Sequence, residues 1–170
     1  MQQSFDEWLD ESAEHMSRLA FQLTHSREEA LDLAQETYLR LYRSWNNRLS
    51  PGARVVYARR AMLHIYLNER ARTTVRTRRA ALDPGERLRH GSDATWAIDA
   101  RDALWRAMGE LSKQQRSALV LRYYEDLTDD EIAQLLHCKS GTVRSHLKRG
   151  IDRLRDDTGL QLTFQESRHE

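Results

Sequence analysis

Apolar residues recur at helical spacing along most of the chain. One stripe in the first half has three- and four-residue steps: Ala30, Ala34, Tyr38, Leu41 and Trp45. No segment shows the sustained alternation, rich in β-branched residues, that is typical of a strand. The stretch 117–124 has the composition of a strand, but Ser112 and Gln115 form a capping box just before it and favour a helix there. We therefore predict an all-α fold.

The stretch 128–155 predicts two helices joined by a tight turn. Thr128 and Glu131 have the spacing of a capping box, in which each side chain satisfies a backbone N–H of the other residue. The connection, 137–140, is short. The second helix has one apolar stripe, formed by Val143, Leu147, Ile151 and Leu154. Two such helices at a steep angle are the helix-turn-helix arrangement, whose second helix enters the major groove of DNA.

The other face of this second helix is polar and basic. It has Thr142, Ser145, His146 and Arg149, flanked by Arg144 and Lys148. Residues 139–155 contain six basic side chains and one acidic, a net charge of +5, whereas residues 91–138 have a net charge of −4. A basic face can simply be a solvated face of a helical bundle. The change of sign close to the start of the second helix favours nucleic-acid binding instead.

Charge alternates in blocks along the chain. The 170 residues have a formal net charge of +1, but residues 1–36 have −7, residues 37–90 have +10 and residues 156–170 have −3. An acidic surface followed by a basic one predicts two kinds of partner, one of them nucleic acid.

Proline and glycine residues, which interrupt helices, divide the chain into two small helical domains. Both prolines lie beside glycine, and the polar stretch 83–93 lacks periodicity. We predict domains at 1–80 and 99–156, a flexible linker at 81–98 and a C-terminal tail at 157–170. Each domain is small enough to be marginally stable alone.

Composition also argues against several classes of protein. The single cysteine, Cys138, excludes a disulfide framework, and the seven histidines have no metal-ligand spacing, so no metal or other cofactor is expected. The acidic N-terminus lacks the features of a signal peptide, and no apolar run approaches membrane length. We expect a cytoplasmic protein without membrane insertion.

Two further surfaces in the first half have functional patterns. Opposite the stripe of 28–45, a lone leucine lies among polar residues, which suits a protein interface: Asp32, Gln35, Glu36 and Leu39. In the stretch 55–79, polar residues recur four apart, namely Arg60, His64, Asn68, Arg72 and Arg76. A hydrogen-bonded core network is one explanation of this line. The net charge of its surroundings favours a nucleic-acid surface.

These patterns resemble a known family. "DLAQETYLRLYRSW" (32–45) resembles the polymerase-binding segment of bacterial RNA polymerase sigma factors. "LSKQQRSALVLRYYEDLTDDEIAQLLHCKSGTVRSHLKRGIDRLR" (111–155) resembles their promoter-reading helix-turn-helix. Two domains with a short linker resemble the smallest group, the extracytoplasmic-function (ECF) sigma factors, over about residues 5–155.

The resemblance implies a role for each surface and no catalytic residue, since a sigma factor confers promoter specificity on an enzyme. Core RNA polymerase and promoter DNA are the implied partners, and an anti-sigma factor is left open. The implied polymerase contacts are Asp32, Gln35, Glu36 and Leu39. The implied −10 contacts are Arg60, His64, Asn68, Arg72 and Arg76. The implied −35 contacts are Thr142, Arg144, Ser145, His146, Lys148 and Arg149.

Three positions depart from the family pattern, and two other functions stay open. His137 stands where the family usually has Gly, His146 where Arg is frequent, and His64 where Asn is frequent, which bears on the promoter sequence. A helix-turn-helix regulator that binds operator DNA without polymerase is the first alternative, and it predicts a dimer on a two-fold operator. A helical interaction protein that does not bind DNA is the second.

Overall fold

The described part of the chain is entirely helical in its regular structure. The structure is a computed structural model that describes residues 4–45, 49–68 and 95–158, with side chains from 102 to 156 in the last range. The helices are α1 Phe5–Thr24, α2 Arg27–Arg43, α3 Pro51–Leu67, α4 Thr95–Gly109, α5 Lys113–Tyr123, α6 Asp129–Leu136 and α7 Ser140–Thr158. The predicted all-α fold is confirmed. None of these helices has both the length and the apolar character that crossing a bilayer requires.

Local sequence sets most helix starts. Five helices begin after a Ser or Thr side chain that accepts a backbone N–H of the first turn: Ser4, Ser26, Ser50, Ser112 and Thr128. The predicted capping boxes at Ser112 and Thr128 are both formed. α6 ends at His137, which adopts the left-handed conformation with φ of 52°. Histidine is among the non-glycine residues that tolerate this conformation, so the helix-turn-helix turn forms without a glycine.

Three helices build the core of the first half. The predicted stripe of α2 faces α1 and α3, with Ala30, Ala34 and Leu41 buried and Tyr38 and Trp45 partly buried. The opposite face of α2 is left to solvent, and this positions the first candidate surface.

In the second half, α7 lies across α4, α5 and α6. The predicted stripe supplies the contact: Val143, Leu147 and Leu154 are buried and Ile151 is partly buried. Gly150 lies on the same side, where a Cβ would come within 2.9 Å of Leu119 Cδ1. This close approach of α7 to α5 turns the basic face of α7 outward.

The two halves also contact each other, through α1 and α3 on one side and α5 and α6 on the other. Arg116 on α5 is buried at this junction. Its Nη1 donates to the carbonyl of Leu23 at 2.9 Å and to the hydroxyl of Tyr66 at 3.3 Å. The guanidinium thereby satisfies acceptors at the end of α1 and on α3.

The predicted domain limits, 1–80 and 99–156, stay a prediction. α4 begins at Thr95, so its first four residues lie in the stretch that we predicted as linker. Alanine at every third position from 97 to 103 favours helix there, because Ala has the highest helix propensity. The rest of the predicted linker and the tail from 159 lie outside the described residues.

Candidate polymerase and promoter surfaces

The basic face of α7 is exposed along its first half. Thr142, Arg144, Ser145, Lys148 and Arg149 are exposed, and His146 is partly buried at the edge of the packed stripe. Burial lowers the pKa of His146, and the neighbouring Arg149 lowers it further, so this imidazole stays neutral at neutral pH. The six residues predicted to contact the −35 element therefore lie on one helix, with five on its open side.

Acidic side chains at the start of α6 contact this face. The carboxylate of Asp129 lies between two arginines: Arg122 on α5 contacts Oδ1, and the Nε of Arg144 on α7 lies 3.0 Å from Oδ2. Asp130 accepts from the hydroxyl of Ser140 at the start of α7. These contacts were not predicted from the sequence. The sequence feature that could have predicted them is a pair of adjacent acidic residues on the first helix of a motif whose second helix is basic.

The exposed face of α2 mixes apolar and acidic side chains. Asp32 and Gln35 are exposed, Glu36 is partly buried, and Leu39 is 58% exposed. The structure adds Leu31 and Tyr42, which are 54% and 65% exposed and continue the line of Gln35 and Leu39. We call the six residues the α2 surface. Three large apolar side chains on one exposed helix face are typical of a protein interface.

Three of the predicted −10 contacts form a line on α3. Arg60 and His64 are exposed one turn apart, and exposed Asn68 caps the end of the helix. His64 is not part of a core, so the alternative of a buried polar network is not what the structure shows. The Nη1 of Arg40 on α2 lies 3.3 Å from Nδ1 of His64. The other two predicted contacts, Arg72 and Arg76, lie outside the described residues.

The contact with Arg40 also determines which ring nitrogen of His64 accepts a hydrogen bond. A guanidinium only donates, so Nδ1 of His64 accepts in this contact. In a neutral imidazole the proton then lies on Nε2, which makes the outer nitrogen a donor. The line on α3 therefore presents the cation of Arg60, the N–H donor of His64 and the amide of Asn68, which both donates and accepts.

Two family profiles match the two halves of the chain separately. The family profile described as Sigma-70 region 2 matches residues 10–75, which include the α2 surface and the α3 line. The profile described as Sigma-70, region 4 matches residues 101–154, which include α5 to α7 almost completely. The family regions thus fall on the two halves in the order that the sequence predicted.

Two curated relatives cover most of the chain. The ECF RNA polymerase sigma factor SigE of Mycolicibacterium smegmatis is 34% identical over 164 residues, 90% of this chain and 61% of that protein. The RNA polymerase sigma-E factor of Streptomyces avermitilis is 31% identical over 155 residues, 90% of this chain and 84% of that protein. The chain belongs to the sigma-70 family of RNA polymerase sigma factors, in its ECF group. This membership favours promoter-directed transcription initiation over a regulator that acts without polymerase.

Solved structures share the fold. The sigma factor RpoE of Bartonella quintana, crystallised with the anti-sigma factor NepR, superposes with a TM-score of 0.66 at 19% identity, covering 92% of this chain and 98% of that one. The NMR structure of the PhyRSL–NepR complex from Sphingomonas sp. Fr1 gives 0.58 at 14% identity, covering 99% and 98%. Both proteins were solved as complexes with NepR.

Proposed function

We propose that this ECF sigma factor binds core RNA polymerase through the α2 surface and recognises promoter DNA through α3 and α7. The observation that carries the proposal is the placement of one mixed apolar and acidic face in the region 2 match and one basic helix face in the region 4 match. The chain then acts as a specificity factor rather than as a catalyst. It works in the cytoplasm, where its polymerase partner transcribes.

The α2 surface has the composition of a docking site for a basic partner. Leu31, Leu39 and Tyr42 offer apolar area that is worth about 25 cal/mol for each Å² removed from water. Asp32 and Glu36 lie beside them and set the charge of the partner. Complementary charge speeds encounter and rejects wrong partners, whereas the apolar side chains supply most of the affinity.

On α7, phosphate and base contacts are expected from different side chains. Arg144 and Arg149 have the planar donor pair that fits guanine, and Ser145 lies between them on the open side. Lys148 is a point charge that suits a phosphate. The first half of a recognition helix contacts base edges, so Arg144 is better placed for bases than residues near the end of α7.

On α3, the line Arg60, His64 and Asn68 suits an unstacked DNA strand. An amide such as that of Asn68 can pair with adenine N6 and N7. The Nε2 donor of His64 can serve an acceptor on a base edge or a phosphate. Trapping an extruded base in this way would help the polymerase to open the −10 element.

Reconstitution with purified core polymerase tests the proposal. The full chain should support initiation at defined start sites, and Glu36→Lys should lose core binding because it places like charge against a basic partner. Asp10→Lys is the matched control, since it makes the same charge reversal at an exposed position on α1 rather than on α2. Core binding by Glu36→Lys at the wild-type level would contradict the docking assignment. A polymerase-independent dimer on a two-fold operator would favour the regulator instead.

Promoter reading by α7 is tested by Arg149→Ala in the same reconstituted holoenzyme. Loss of a base contact should cost about 1–3 kcal/mol and relax specificity at one position. Loss of a phosphate contact should weaken all sequences evenly and lower the salt dependence of binding by roughly one unit of slope. Val143→Asp is the folding control, because it buries an unpaired charge and should unfold the helix-turn-helix. A change in neither affinity nor slope for Arg149→Ala would contradict the placement of α7 on DNA.

A further inference from the structure

Asp129 joins two arginines from different helices at the edge of the reading face. One carboxylate oxygen contacts Arg122, whose side chain is 22% exposed, and the other accepts from Nε of Arg144 at 3.0 Å. The Asp129 side chain itself is 23% exposed, whereas that of Arg144 is 72% exposed. The sheltered pair of Arg122 and Asp129 is thus a fixed support, and Arg144 extends from it into solvent.

The contact uses the inner nitrogen of the Arg144 guanidinium. Within the described residues, Arg144 makes its polar contact through Nε, so Nη1 and Nη2 have no partner there. These two nitrogens form the donor pair that matches O6 and N7 of guanine in the major groove. A carboxylate on Nε orients the plane of the guanidinium and leaves its outer edge available.

An acidic side chain at this edge has a cost for DNA binding. A carboxylate near the phosphates repels the duplex, and nonspecific affinity depends on the number of phosphates that the protein neutralises. Asp129 also lies in the first turn of α6, where the helix dipole favours negative charge, but Asp130 and Glu131 supply charge there as well. The contact with Arg144 is what distinguishes Asp129 from its neighbours.

We propose that Asp129 is a positioning residue that holds Arg144 for end-on recognition of one guanine in the −35 element. This proposal rests on the proposed reading of promoter DNA by α7. Free arginine side chains lose rotamer freedom on binding, and a tethered one has already lost it. Asp129 therefore lowers the general affinity for DNA and raises the discrimination at a single base pair.

The test compares base selectivity with general affinity in reconstituted holoenzyme. The variants are Asp129→Asn, Arg144→Ala and the double variant, with Asp130→Asn as the control that removes the same charge one residue away. Binding is measured to promoters with each of the four bases at every −35 position, and to a duplex without a promoter. Thermal unfolding of each free variant reports whether the helix-turn-helix is intact.

Asp129→Asn should lower the preference for guanine without lowering the general affinity for DNA. Wild type should prefer guanine at one position by roughly 5- to 150-fold, the range of one good bidentate contact, and Arg144→Ala should abolish that preference. Asp129→Asn should reduce the same preference about threefold or more while binding the promoter-free duplex at least as tightly as wild type. The double variant should match Arg144→Ala, and Asp130→Asn should keep the preference.

Several outcomes would overturn the proposal, and they differ from failure of the proposed function. Asp129→Asn with wild-type guanine preference, or with parallel loss of all DNA binding and of thermal stability, would show that Asp129 has only a structural role. If Arg149→Ala weakens promoter binding but Arg144→Ala leaves base preference unchanged, α7 reads DNA without this arginine. If both arginine variants bind promoters like wild type, reading by α7 is itself wrong.

Discussion

Glu125, just after α5, contacts Arg59 of α3 across the junction between the two halves of the chain. His15 of α1 adds a third side chain, with its Nε2 3.0 Å from the other carboxylate oxygen. The Glu125 side chain is fully buried and that of Arg59 is 17% exposed. A buried carboxylate is tolerated only with such partners, so these three residues specify how the halves meet.

Removing the carboxylate should destabilise the junction. Glu125→Ala leaves Arg59 largely buried without its partner, and breaking a buried ion pair costs about 3–5 kcal/mol. Arg59 can turn toward solvent, so we expect the lower end of that range. Urea unfolding of the free chain measures the change in free energy of unfolding. Asp126→Asn, at the exposed next position, is the control: it removes a charge and keeps a residue that tolerates the left-handed φ of 51°, so it should change the free energy of unfolding by less than about 0.5 kcal/mol.

Promoter binding should separate the halves. The −35 and −10 elements are named by their distance from the start site, so about 25 base pairs separate them, roughly 85 Å of duplex at about 3.4 Å for each pair. A compact body of the 126 described residues has a radius of gyration near 14 Å by the usual scaling, so it is only about 36 Å across. With the two halves packed against each other, α3 and α7 cannot reach both elements at once.

Energy transfer between two dyes measures this separation. With Cys138 replaced by Ser, dyes on cysteines at the exposed positions Ser17 and Lys139 should show lower transfer efficiency once core polymerase and promoter are added. A pair at Ser17 and Gly52, both in the first half, should keep its efficiency. Unchanged transfer for the first pair in an active complex would show that the halves stay packed.

Acid should weaken the same junction through His25. Its ring stacks on Trp105 with centroids 3.8 Å apart, and burial, aided by Arg116, lowers the pKa to about 4 from 6.5. The unfolded chain therefore takes up this proton at a higher pH than the folded chain. Stability contributed by the neutral ring is complete above about pH 6.5 and falls as the pH drops toward 4.

Unfolding in urea at several pH values tests this sign. His25→Asn removes the titrating group and keeps a residue that tolerates the left-handed φ of 58°. Its free energy of unfolding should depend less on pH between 6.5 and 4 than that of wild type. The pKa of His146 is also lowered, so part of the dependence should persist. Equal slopes for the two proteins would contradict the burial of a neutral His25.

A pair of glycines on α7 offers a matched test of packing. Alanine is favoured over glycine inside a helix by about 1 kcal/mol, and a Cβ at Gly141 meets nothing within 4 Å. At Gly150 the Cβ comes within 2.9 Å of Leu119, which is buried and can shift little. Gly150→Ala should therefore be less stable than Gly141→Ala by about 1–3 kcal/mol in thermal unfolding, the usual cost of overpacking. Equal stability would mean that α7 lies farther from α5 than the 2.9 Å between a Cβ at Gly150 and Leu119 implies.

The sequence alone predicted the helical fold, the helix-turn-helix and the family. Capping boxes at Ser112 and Thr128 and the stripes of α2 and α7 were readable because caps and helical periodicity depend on residues a few positions apart. The exposed placement of the basic face of α7 followed from its packed stripe. The family profiles also matched both halves in the predicted order.

Tertiary structure decided the contacts between distant positions. Arg116 and Leu23 lie 93 positions apart, and nothing in the periodicity of either segment pairs them. Along the chain, Asp129 is one of three acids in the first turn of α6, and only the crossing of α5, α6 and α7 brings it between Arg122 and Arg144. Helix preferences are set by neighbours along the chain and can therefore be predicted from the sequence. Buried charges find their partners only after distant helices pack together, so these contacts are decided by the tertiary structure.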